Sequence, residues 1–600
     1  MAASEAPVAG RSTTARTALV LIACGIAVAA LVAYTLGRGV GRSPSGDAGS
    51  AGSRSIPAEE DETQVPFPTA KSAGTRELFD LAPPKLAPVP QVRRPLETGL
   101  SWTEHDHCED DGGGIVCGPQ SRLGGRGSWW RVGRGPGLTL VNQMVGPVLR
   151  GSLLAEYDEA GRLGRLVRFD AYGEVQYVRS YDPAGRRYSA RKATGANALK
   201  GCGYIEIDGA RPTRVTCLRW KLRPMRDAAG VAVSRLRRDA NGLVVEQRRY
   251  GVGGQRVAGH DGFHRLVVTR DSSGRPVEER GYDLSGKPVA SSVTGCHGHR
   301  MVRDRRGLLV QRRCLGTDGK SAPDRSEVAL VRFEHDERGC LVAESYFDAG
   351  DHPGPNAEGV QTVRFGVNDR CSVVRRRCHS EGRVACGPNQ PWEFRFKLDS
   401  SGRVVSACHF GVDGRPTGDP EYGVLELRYR YDARGNRVAQ SCFGPGSREA
   451  VECHDTGFHR VESRYDHLGR KTQDSFHDAS GSPTTNFGTF VRRFSYDAYD
   501  HLVETADFDD QGRAVESLGS ASRRYLYDEG HRLFGLLQLD RRGEPAEFSG
   551  CITGHTCPRQ PWHAVRVVRS AKGRAVRNVF FDRSRRLISR TDCDRAQCWD

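Results

Sequence analysis

Aspartate and glycine recur in phase along most of this 600-residue chain, and that recurrence constrains its fold more than any other feature. The strings "YDEAG", "FDAYG" and "YDPAG" place Asp158, Asp170 and Asp182 twelve residues apart. A longer step of 30 to 34 residues joins further aspartates, from Asp239 to Asp528. One repeat of about 32 residues therefore combines an arm of 12 residues with an arm of about 20.

The chemistry of D-x-x-G is that of a chain reversal, because Asp bonds to a backbone N–H two residues later and Gly supplies a positive φ. Between these units, Val, Tyr, Phe and Arg alternate with the period of a strand. The pattern predicts an all-β fold in which tandem antiparallel β-hairpins form an extended, spiralling sheet. The predicted turn residues are Asp158, Gly161, Asp271, Gly274, Asp336, Gly339, Asp432, Gly435, Asp466 and Gly469.

Three other recurring positions have predicted structural roles. The aromatic residue before each Asp is predicted to point inward and pack in the core, in preference to stacking on carbohydrate. His264 and His459 both lie in "GFHR", seven residues before a repeat Asp, which favours a structural role over a catalytic one. Proline has no backbone donor and is predicted to lie at a strand start or sheet edge where it follows a second turn, at Pro288, Pro483 and Pro545.

The units "YDEAGR", "YDPAGR", "YDARGN" and "YDHLGR" resemble the tyrosine-aspartate (YD, or RHS-type) repeats of bacterial cell-surface and toxin proteins. The resemblance covers roughly residues 150–590 and implies a β-sheet ribbon that, in large members, closes into a hollow shell around a toxin. This chain differs in its alternating step, in frequent replacement of the tyrosine, and in its final "SRTDCDRAQCWD", which has neither the core-boundary motif nor a following toxin domain. A simpler ribbon or surface array is therefore expected.

The N-terminal region is predicted to anchor the chain. Residues 17–36 carry no charge, and at about 1.5 Å per residue they are long enough to cross a bilayer. A lipoprotein acylated at Cys24 within "LIAC" and a cleaved signal peptide remain alternatives. The predicted order is a short cytoplasmic N-terminus (1–16), a transmembrane helix (17–37), a Pro/Gly/Ser-rich linker (38–100), a capping region with degenerate repeats (101–226) and a YD-like repeat array (227–600). Within the capping region, Trp129 and Trp130 are candidates to shield the first strand edge.

Many of the 18 cysteines fall into close pairs, which indicates local disulfides and an oxidising compartment. A zinc site is the weaker interpretation, because no CxxC occurs and "HDHC" (105–108) is the only local His/Cys cluster. Cys340, Cys371, Cys378, Cys386 and Cys408 are five in number, so one is left over or pairs unexpectedly. The candidate pairs are Cys108 and Cys117, Cys202 and Cys217, Cys296 and Cys314, Cys442 and Cys453, Cys551 and Cys557, and Cys593 and Cys598.

The formal charge of +16 arises mostly from scattered arginines, which favours a solvated, salt-bridged face over an acidic partner and disfavours nucleic acid. No catalytic motif is present. "DFDDQG" (507–512) resembles a calcium loop, but Leu518 stands where a Glu is needed, so a plain turn is predicted. We predict no catalytic residue, metal or cofactor.

The expected function is that of a membrane-anchored structural or binding scaffold in the periplasm or at the cell surface of a bacterium. It would present an extended face to a protein or glycan. Two alternatives remain: a shell or carrier related to the RHS toxin-delivery proteins, and a polysaccharide-active enzyme.

Overall fold

The computed structural model describes residues 97–110, 114–120, 127–192, 198–199, 201–219, 222–379, 393–411, 413–418, 424–444, 449–453, 457–497, 501–517, 519–527, 533–548, 561–569, 575–584 and 586–592. The predicted transmembrane segment at 17–37 and nearly all of the predicted linker lie outside these residues. Within the described ranges, no helix has the length and apolar character needed to span a bilayer.

The described part of the chain consists of short β-strands joined by turns. From residue 233 onward the strands occur in pairs, usually a strand of six residues followed by one of seven. The first strands of successive pairs begin 31 to 34 residues apart as far as Ser522, which matches the predicted repeat. The strands are β1 (Ser101–His105), β2 (Cys108–Asp110), β3 (Ile115–Cys117), β4 (Ser128–Gly135), β5 (Leu138–Val145), β6 (Val148–Tyr157), β7 (Leu163–Asp170), β8 (Val175–Tyr181), β9 (Arg187–Lys192), β10 (Tyr204–Ile207), β11 (Arg214–Leu218), β12 (Val233–Arg238), β13 (Val244–Tyr250), β14 (Arg265–Arg270), β15 (Pro276–Tyr282), β16 (Gly298–Arg303), β17 (Leu309–Leu315), β18 (Leu330–His335), β19 (Leu341–Phe347), β20 (Thr362–Val367), β21 (Val373–His379), β22 (Glu393–Leu398), β23 (Val404–Phe410), β24 (Glu426–Tyr431), β25 (Arg437–Phe443), β26 (Arg460–Tyr465), β27 (Lys471–His477), β28 (Val491–Tyr496), β29 (Leu502–Phe508), β30 (Ser522–Tyr527), β31 (Leu533–Leu539), β32 (Ala564–Arg569), β33 (Ala575–Phe581) and β34 (Leu587–Asp592).

Thirty-two of these strands form one sheet, and β2 and β3 form a separate hairpin. β1 pairs with β4, and from β4 to β34 each strand pairs antiparallel with the next one in the chain. The predicted all-β antiparallel meander is confirmed. Pairing runs without interruption from β11 into β12, so one sheet crosses the predicted boundary between the capping region and the array.

The turn after each first strand uses the chemistry that D-x-x-G predicts, as Asp466 illustrates. Its Oδ1 accepts the N–H groups of Leu468 and Arg470, each at 2.9 Å, and its own N–H donates to the Arg470 carbonyl. Gly469 adopts φ 76° and donates its N–H to the Asp466 carbonyl. Burial raises the pKa of Asp466, but the Arg470 N–H and guanidinium groups hold that pKa below its ordinary value. The other predicted turn residues lie in equivalent turns, with Asp158, Asp271, Asp336 and Asp432 accepting and Gly161, Gly274, Gly339 and Gly435 at positive φ.

The residue before this Asp links each repeat to the one before it. The Tyr465 hydroxyl donates to the Arg437 carbonyl at 2.9 Å, and Tyr431 reaches Val404 in the same way. Where the repeat has Arg instead, Arg270 Nε donates to the Val244 carbonyl at 3.1 Å. A guanidinium reaches the same carbonyl as a tyrosine hydroxyl, which explains why the tyrosine of the motif can be replaced.

The connection after each second strand contains two tight turns. Each predicted proline lies in it, paired through an isolated bridge outside the named strands: Pro288 with Tyr282, Pro483 with His477, and Pro545 with Leu539. Successive connections also bond to one another, because the Ser292 N–H donates to the Asp261 carbonyl at 2.9 Å and the Arg325 N–H to Thr294 at 2.9 Å. These backbone N–H groups, in the connections at the strand ends, are thereby bonded to the connection of the neighbouring repeat.

The ribbon winds into a coil, and its first turn rests on its second. The N–H of Ser128, the first residue of β4, donates to the Arg306 carbonyl in the turn after β16 at 2.8 Å. The Tyr172 hydroxyl, between β7 and β8, donates to Ser372 Oγ after β20 at 2.8 Å. Thirteen strands separate each of these contacts, from β4 to β16 and from β8 to β20. One turn of the coil therefore holds about thirteen strands.

Trp129 and Trp130 lie on β4, which pairs with β1 on one side and β5 on the other. The Trp129 indole N–H donates to the Gly146 carbonyl at 3.1 Å, and its ring is buried. These two residues therefore lie within the sheet, and β1 lies beyond them.

Candidate functional site

A disulfide-bonded hairpin lies against the inside of the first turn of the coil. It comprises the described residues 105–110 and 114–120, which include β2 and β3, and is called the plug below. Cys108 and Cys117 face each other across the hairpin and are disulfide-bonded. Ile115 packs against Ala155 and Leu166 of the wall. Asp110 Oδ1 accepts from Arg179 Nη1 on β8 at 2.7 Å.

The plug also reaches the opposite wall. Glu109 Oε2 bonds to Arg270 Nη2 on β14 at 2.9 Å, and Asp106 Oδ2 accepts from the Ser273 hydroxyl at 2.9 Å. Burial raises the pKa of Glu109, but His107 and Arg270 lower it overall. Because β8 and β14 are six strands apart in a turn of about thirteen, the plug spans the coil. Barrels of about eight strands are filled by their own side chains and those of 16 to 18 strands leave a channel, so an intermediate coil has room for one extra hairpin.

The plug identifies the inner face of the sheet. The pairing register from β8 to β12 places Ser234, the second residue of β12, on the same face of the sheet as Arg179. Because side chains alternate along a strand, the inner face holds the second and fourth residues of each first strand. The third and fifth residues lie on the outer face. The residue before each first-turn Asp, such as Tyr431 or Tyr465, is on the inner face, as predicted for the repeat aromatics.

The aromatic before each second-turn Asp lies on the outer face, so the predicted inward direction is wrong for that half of the repeat, although Phe347 is buried as predicted. Phe347 pairs with Leu330 and shares the outer face with Arg332, whose guanidinium carbon lies 4.1 Å from the centre of the Phe347 ring. Phe443 and Phe508 lie beneath Arg428 and Arg493 in the same way, at 3.8 Å and 4.3 Å. Tyr431 pairs with Arg437 and so shares its face, and Phe443 lies six residues further along β25. The bulge beside each first turn takes up one of those six residues, so five alternating steps remain and Phe443 lies on the opposite face.

Beyond the plug, the inner wall is aromatic and poorly hydrated. Phe333, Phe365 and Phe394 are half-buried and pack against a cluster that includes Val363. Burial and, to a smaller extent, Arg312 lower the pKa of His299 to about 4. The wall is thus lined by apolar rings and by an imidazole held in its neutral form.

Inner carboxylates with raised pKa values are the groups from which an acid and base pair would be built. Burial raises the pKa of Glu279 and of Glu344, although Arg270 and Arg312 respectively oppose it. These residues lie on β15 and β19, four strands apart, which is about 19 Å at the usual strand spacing. Glycoside-hydrolysing carboxylates are about 5 to 9.5 Å apart, so these two do not form such a pair.

The outer face of the ten strand pairs from β12 to β31 is strongly basic. Its alternating positions hold eighteen arginines and one lysine against seven glutamates. The basic residues are Arg235, Arg237, Arg248, Arg265, Arg280, Arg300, Arg313, Arg332, Arg364, Arg375, Arg377, Arg395, Lys397, Arg428, Arg430, Arg460, Arg464, Arg493 and Arg524, and the acidic ones are Glu246, Glu278, Glu334, Glu393, Glu426, Glu462 and Glu504. Most of the chain's net charge of +16 therefore lies on this one surface.

Arginines face each other directly across several strands of this surface. Like charges at directly opposite positions destabilise a sheet. The facing pairs are Arg214 with Arg235, Arg235 with Arg248, Arg248 with Arg265, Arg300 with Arg313, Arg364 with Arg377, and Arg375 with Arg395. Sequence reasoning missed these pairs, because the scattered arginines come together only once the register is known.

The structure forms four of the six candidate disulfides: Cys108–Cys117, Cys202–Cys217, Cys296–Cys314 and Cys442–Cys453. Cys551, Cys557, Cys593 and Cys598 lie outside the described residues. Cys340 and Cys371 form a further disulfide across neighbouring first turns, and Cys408 is a free thiol. Cys340 and Cys371 are 31 residues apart, which is about one repeat, and this spacing was the signal that could have revealed the pair.

Residues considered for metals or catalysis make local structural contacts. His264 Nδ1 lies 2.9 Å from the Arg249 carbonyl, and His459 Nδ1 lies 3.1 Å from that of Val451. In the calcium-like string, Asp507 pairs with Arg492 at 2.6 Å and Asp509 accepts turn N–H groups. Across the described ranges, no three His, Cys, Asp or Glu side chains are grouped as metal ligands.

No family model and no curated protein matches this chain. Among solved structures it is similar to TcdB2-TccC3 without its hypervariable C-terminal region, at 11% identity and a TM-score of 0.32, over 80% of this chain and 24% of that one. It is similar to TcdB2-TccC3-TEV at 10% identity and a TM-score of 0.33, over 82% and 27%. It is similar to the Tc holotoxin pore of Photorhabdus luminescens at 10% identity and a TM-score of 0.24, over 76% of this chain and 26% of that one. The chain thus spans about a quarter of the length of each of these structures.

Proposed function

We propose that this chain is an exported scaffold whose coiled sheet displays its outer face to a partner in the cell envelope. The observation that carries the proposal is the contrast between the two faces. The inside of the first turn is occupied by the plug, whereas the outer face carries nineteen basic residues against seven acidic ones. An export route agrees with the disulfides, which persist in oxidising compartments.

The finer parts of the proposal come from the sequence. The uncharged segment at 17–37 is proposed to hold the chain in the membrane as a single-pass protein, with the bulk of the chain in the periplasm or at the cell surface. The "YDHLGR"-type units remain the reason to relate it to bacterial YD repeats. We propose a binding role without enzymatic activity.

A second candidate function is that of a shell or carrier. It is favoured by the half-buried inner aromatics Phe333, Phe365 and Phe394, which lie beyond the plug and offer an apolar wall to a guest. The two functions use opposite faces of the same strands, so substitutions on one face at a time distinguish them.

The test is cosedimentation of the full-length chain, in detergent, with envelope fractions from its own source. The outer variant is Arg235→Gln with Arg332→Gln and Arg493→Gln, and the inner variant is Phe333→Leu with Phe365→Leu. We expect the outer variant to lose most of its retention, because it removes exposed charges, and the inner variant to be retained like the wild type. Retention that depends on the inner residues instead would overturn the scaffold proposal and favour a carrier.

A further inference from the structure

Four arginines converge on the outer face of β20, β21 and β22. Arg364 lies directly opposite Arg377, and Arg375 lies directly opposite Arg395. Opposite positions are about 5 Å apart, and alternate residues along one strand are about 7 Å apart. The four side chains therefore start from the corners of one small patch, called the four-arginine cluster below.

One buried glutamate organises half of this cluster. Glu393 has no exposed side-chain surface and bonds through its two oxygens to Arg377 and Arg395. Burial raises the pKa of Glu393, but these two guanidinium groups lower it overall, so the carboxylate is ionised. Arg364 and Arg375 form no ion pair with any other described residue. One negative charge thus stands against four positive charges.

The cluster costs folding free energy, because two pairs of like charges face each other with incomplete compensation. The fold could avoid that cost with uncharged polar residues in place of the exposed Arg364 and Arg375, which do not pair with Glu393. A ligand that supplies negative charge would remove the repulsion and gain charge-assisted hydrogen bonds. We infer that the four-arginine cluster is a binding site for an acidic polysaccharide; this deepens the proposed function and rests on it.

A linear ligand is favoured by the row of arginines in which the cluster lies. The third residue of each first strand is arginine in five consecutive repeats: Arg300, Arg332, Arg364, Arg395 and Arg428. Successive members are two strands apart, which is about 10 Å. That step is close to the length of two linked hexoses, so the row suits a polymer of acidic sugars in which the carboxylate of every second sugar meets an arginine.

Aromatic rings prepare several of these arginines for such a ligand. Arg332 lies over Phe347, and the guanidinium carbons of Arg395 and Arg428 lie 3.8 Å from the ring centres of Phe410 and Phe443. A guanidinium stacked on a ring is held in place, and the N–H groups that Glu393 and Glu426 do not occupy remain available in the guanidinium plane. Less side-chain entropy is therefore lost when an anion binds.

Two other polyanions fit the surface less well. A lipid bilayer is flat, whereas the outer face curves around a turn of about thirteen strands, so only a few strands could touch it at once. Duplex DNA presents phosphates about 3.4 Å apart along the axis of each strand, a much closer spacing than the arginine row. The disulfides also indicate a compartment in which extracellular polysaccharides are the commoner polyanion.

The test measures binding of full-length protein to polygalacturonate over a series of salt concentrations. The variant Arg364→Gln/Arg375→Gln removes one arginine from each facing pair. We expect it to fold at least as stably as the wild type, because it relieves repulsion, yet to bind roughly tenfold or more weakly, since two charged hydrogen-bond donors are lost. Its log affinity should also depend less steeply on log salt concentration, because fewer counterions are released.

The matched control is Arg464→Gln/Arg524→Gln, which removes the same charge from outer positions opposite Gln473 and Leu537. It should bind within about threefold of the wild type, since distant exposed charges contribute little. Fully methyl-esterified polygalacturonate should not bind. Equal loss in both variants, binding of the ester, or tighter binding to duplex DNA or phosphatidylglycerol vesicles would each overturn the inference. If envelope retention still depends on the outer face while polygalacturonate does not bind, the ligand class fails and the scaffold proposal stands.

Discussion

Gly127→Ala is expected to separate the first turn of the coil from the second. Gly127 has φ 81°, and a Cβ at this position would lie 1.8 Å from the Arg306 carbonyl oxygen, so the backbone must move. The left-handed conformation costs about 1 to 2 kcal/mol for alanine, and the clash adds about 1 to 3 kcal/mol. Hydrogen exchange should report a loss of about 3 kcal/mol in the protection of the turn after β16.

Gly161→Ala is the matched control for this substitution. Gly161 has a similar φ of 72°, but a Cβ there would meet no atom within 4 Å. The control therefore isolates the conformational cost, about 1 kcal/mol, and should leave the turn after β16 protected. Equal effects of the two substitutions on that turn would mean that the contact between Gly127 and Arg306 does not hold the two turns together.

Asp110→Ala is expected to release the plug. Arg179 and Asp110 have side chains that are 17% and 12% exposed, so the substitution leaves a guanidinium unpaired in a poorly hydrated site. Removing one partner of a buried ion pair costs about 3 to 5 kcal/mol. We expect a loss of about 3 kcal/mol in the local stability of β8 and of the plug, measured by hydrogen exchange because a repeat array need not unfold in one step.

Glu516→Ala serves as the control for the plug. Its carboxylate lies 3.6 Å from Arg541, and both side chains are well exposed. Exposed pairs contribute about 0 to 1 kcal/mol, so this substitution should change local stability little. A similarly small effect of Asp110→Ala would show that the Asp110–Arg179 pair does not anchor the plug.

The turns could be predicted from the sequence because their chemistry is local. Asp466 and Gly469 form their hydrogen bonds within five residues, and the same spacing recurs in each repeat. The antiparallel meander follows, since reversals so closely spaced leave room for only one short strand between them. The roles of His264 and His459 followed from their recurrence in register.

The coil could not be predicted in the same way, because it depends on contacts between distant residues. Ser128 and Arg306 meet only after thirteen strands have twisted by small amounts that the sequence does not encode at any one position. Which face points inward is a consequence of that curvature. The alternation of side chains along a strand places Phe333 and Arg332 on opposite faces, but it does not predict which of the two faces is the outer one.

The four-arginine cluster was hidden for a related reason. Arg364 and Arg377 are thirteen residues apart in the sequence, and they face each other only through the register of β20 and β21. A one-residue shift in pairing would move one of them to the other face. Scattered basic residues were therefore interpreted as a solvated surface, and their concentration on one face became visible only in the structure.

The sheet winds back on itself, and a distance between two spin labels tests this coiling directly. Glu174 Oε1 accepts from the Ser401 hydroxyl at 2.8 Å across the two turns. The labels replace these residues as Glu174→Cys and Ser401→Cys, with Cys408→Ser to remove the free thiol among the described residues. The coil predicts a label separation of about 20 Å or less, whereas an uncoiled ribbon would place the labels on either side of fifteen strands, about 70 Å apart, and would contradict it.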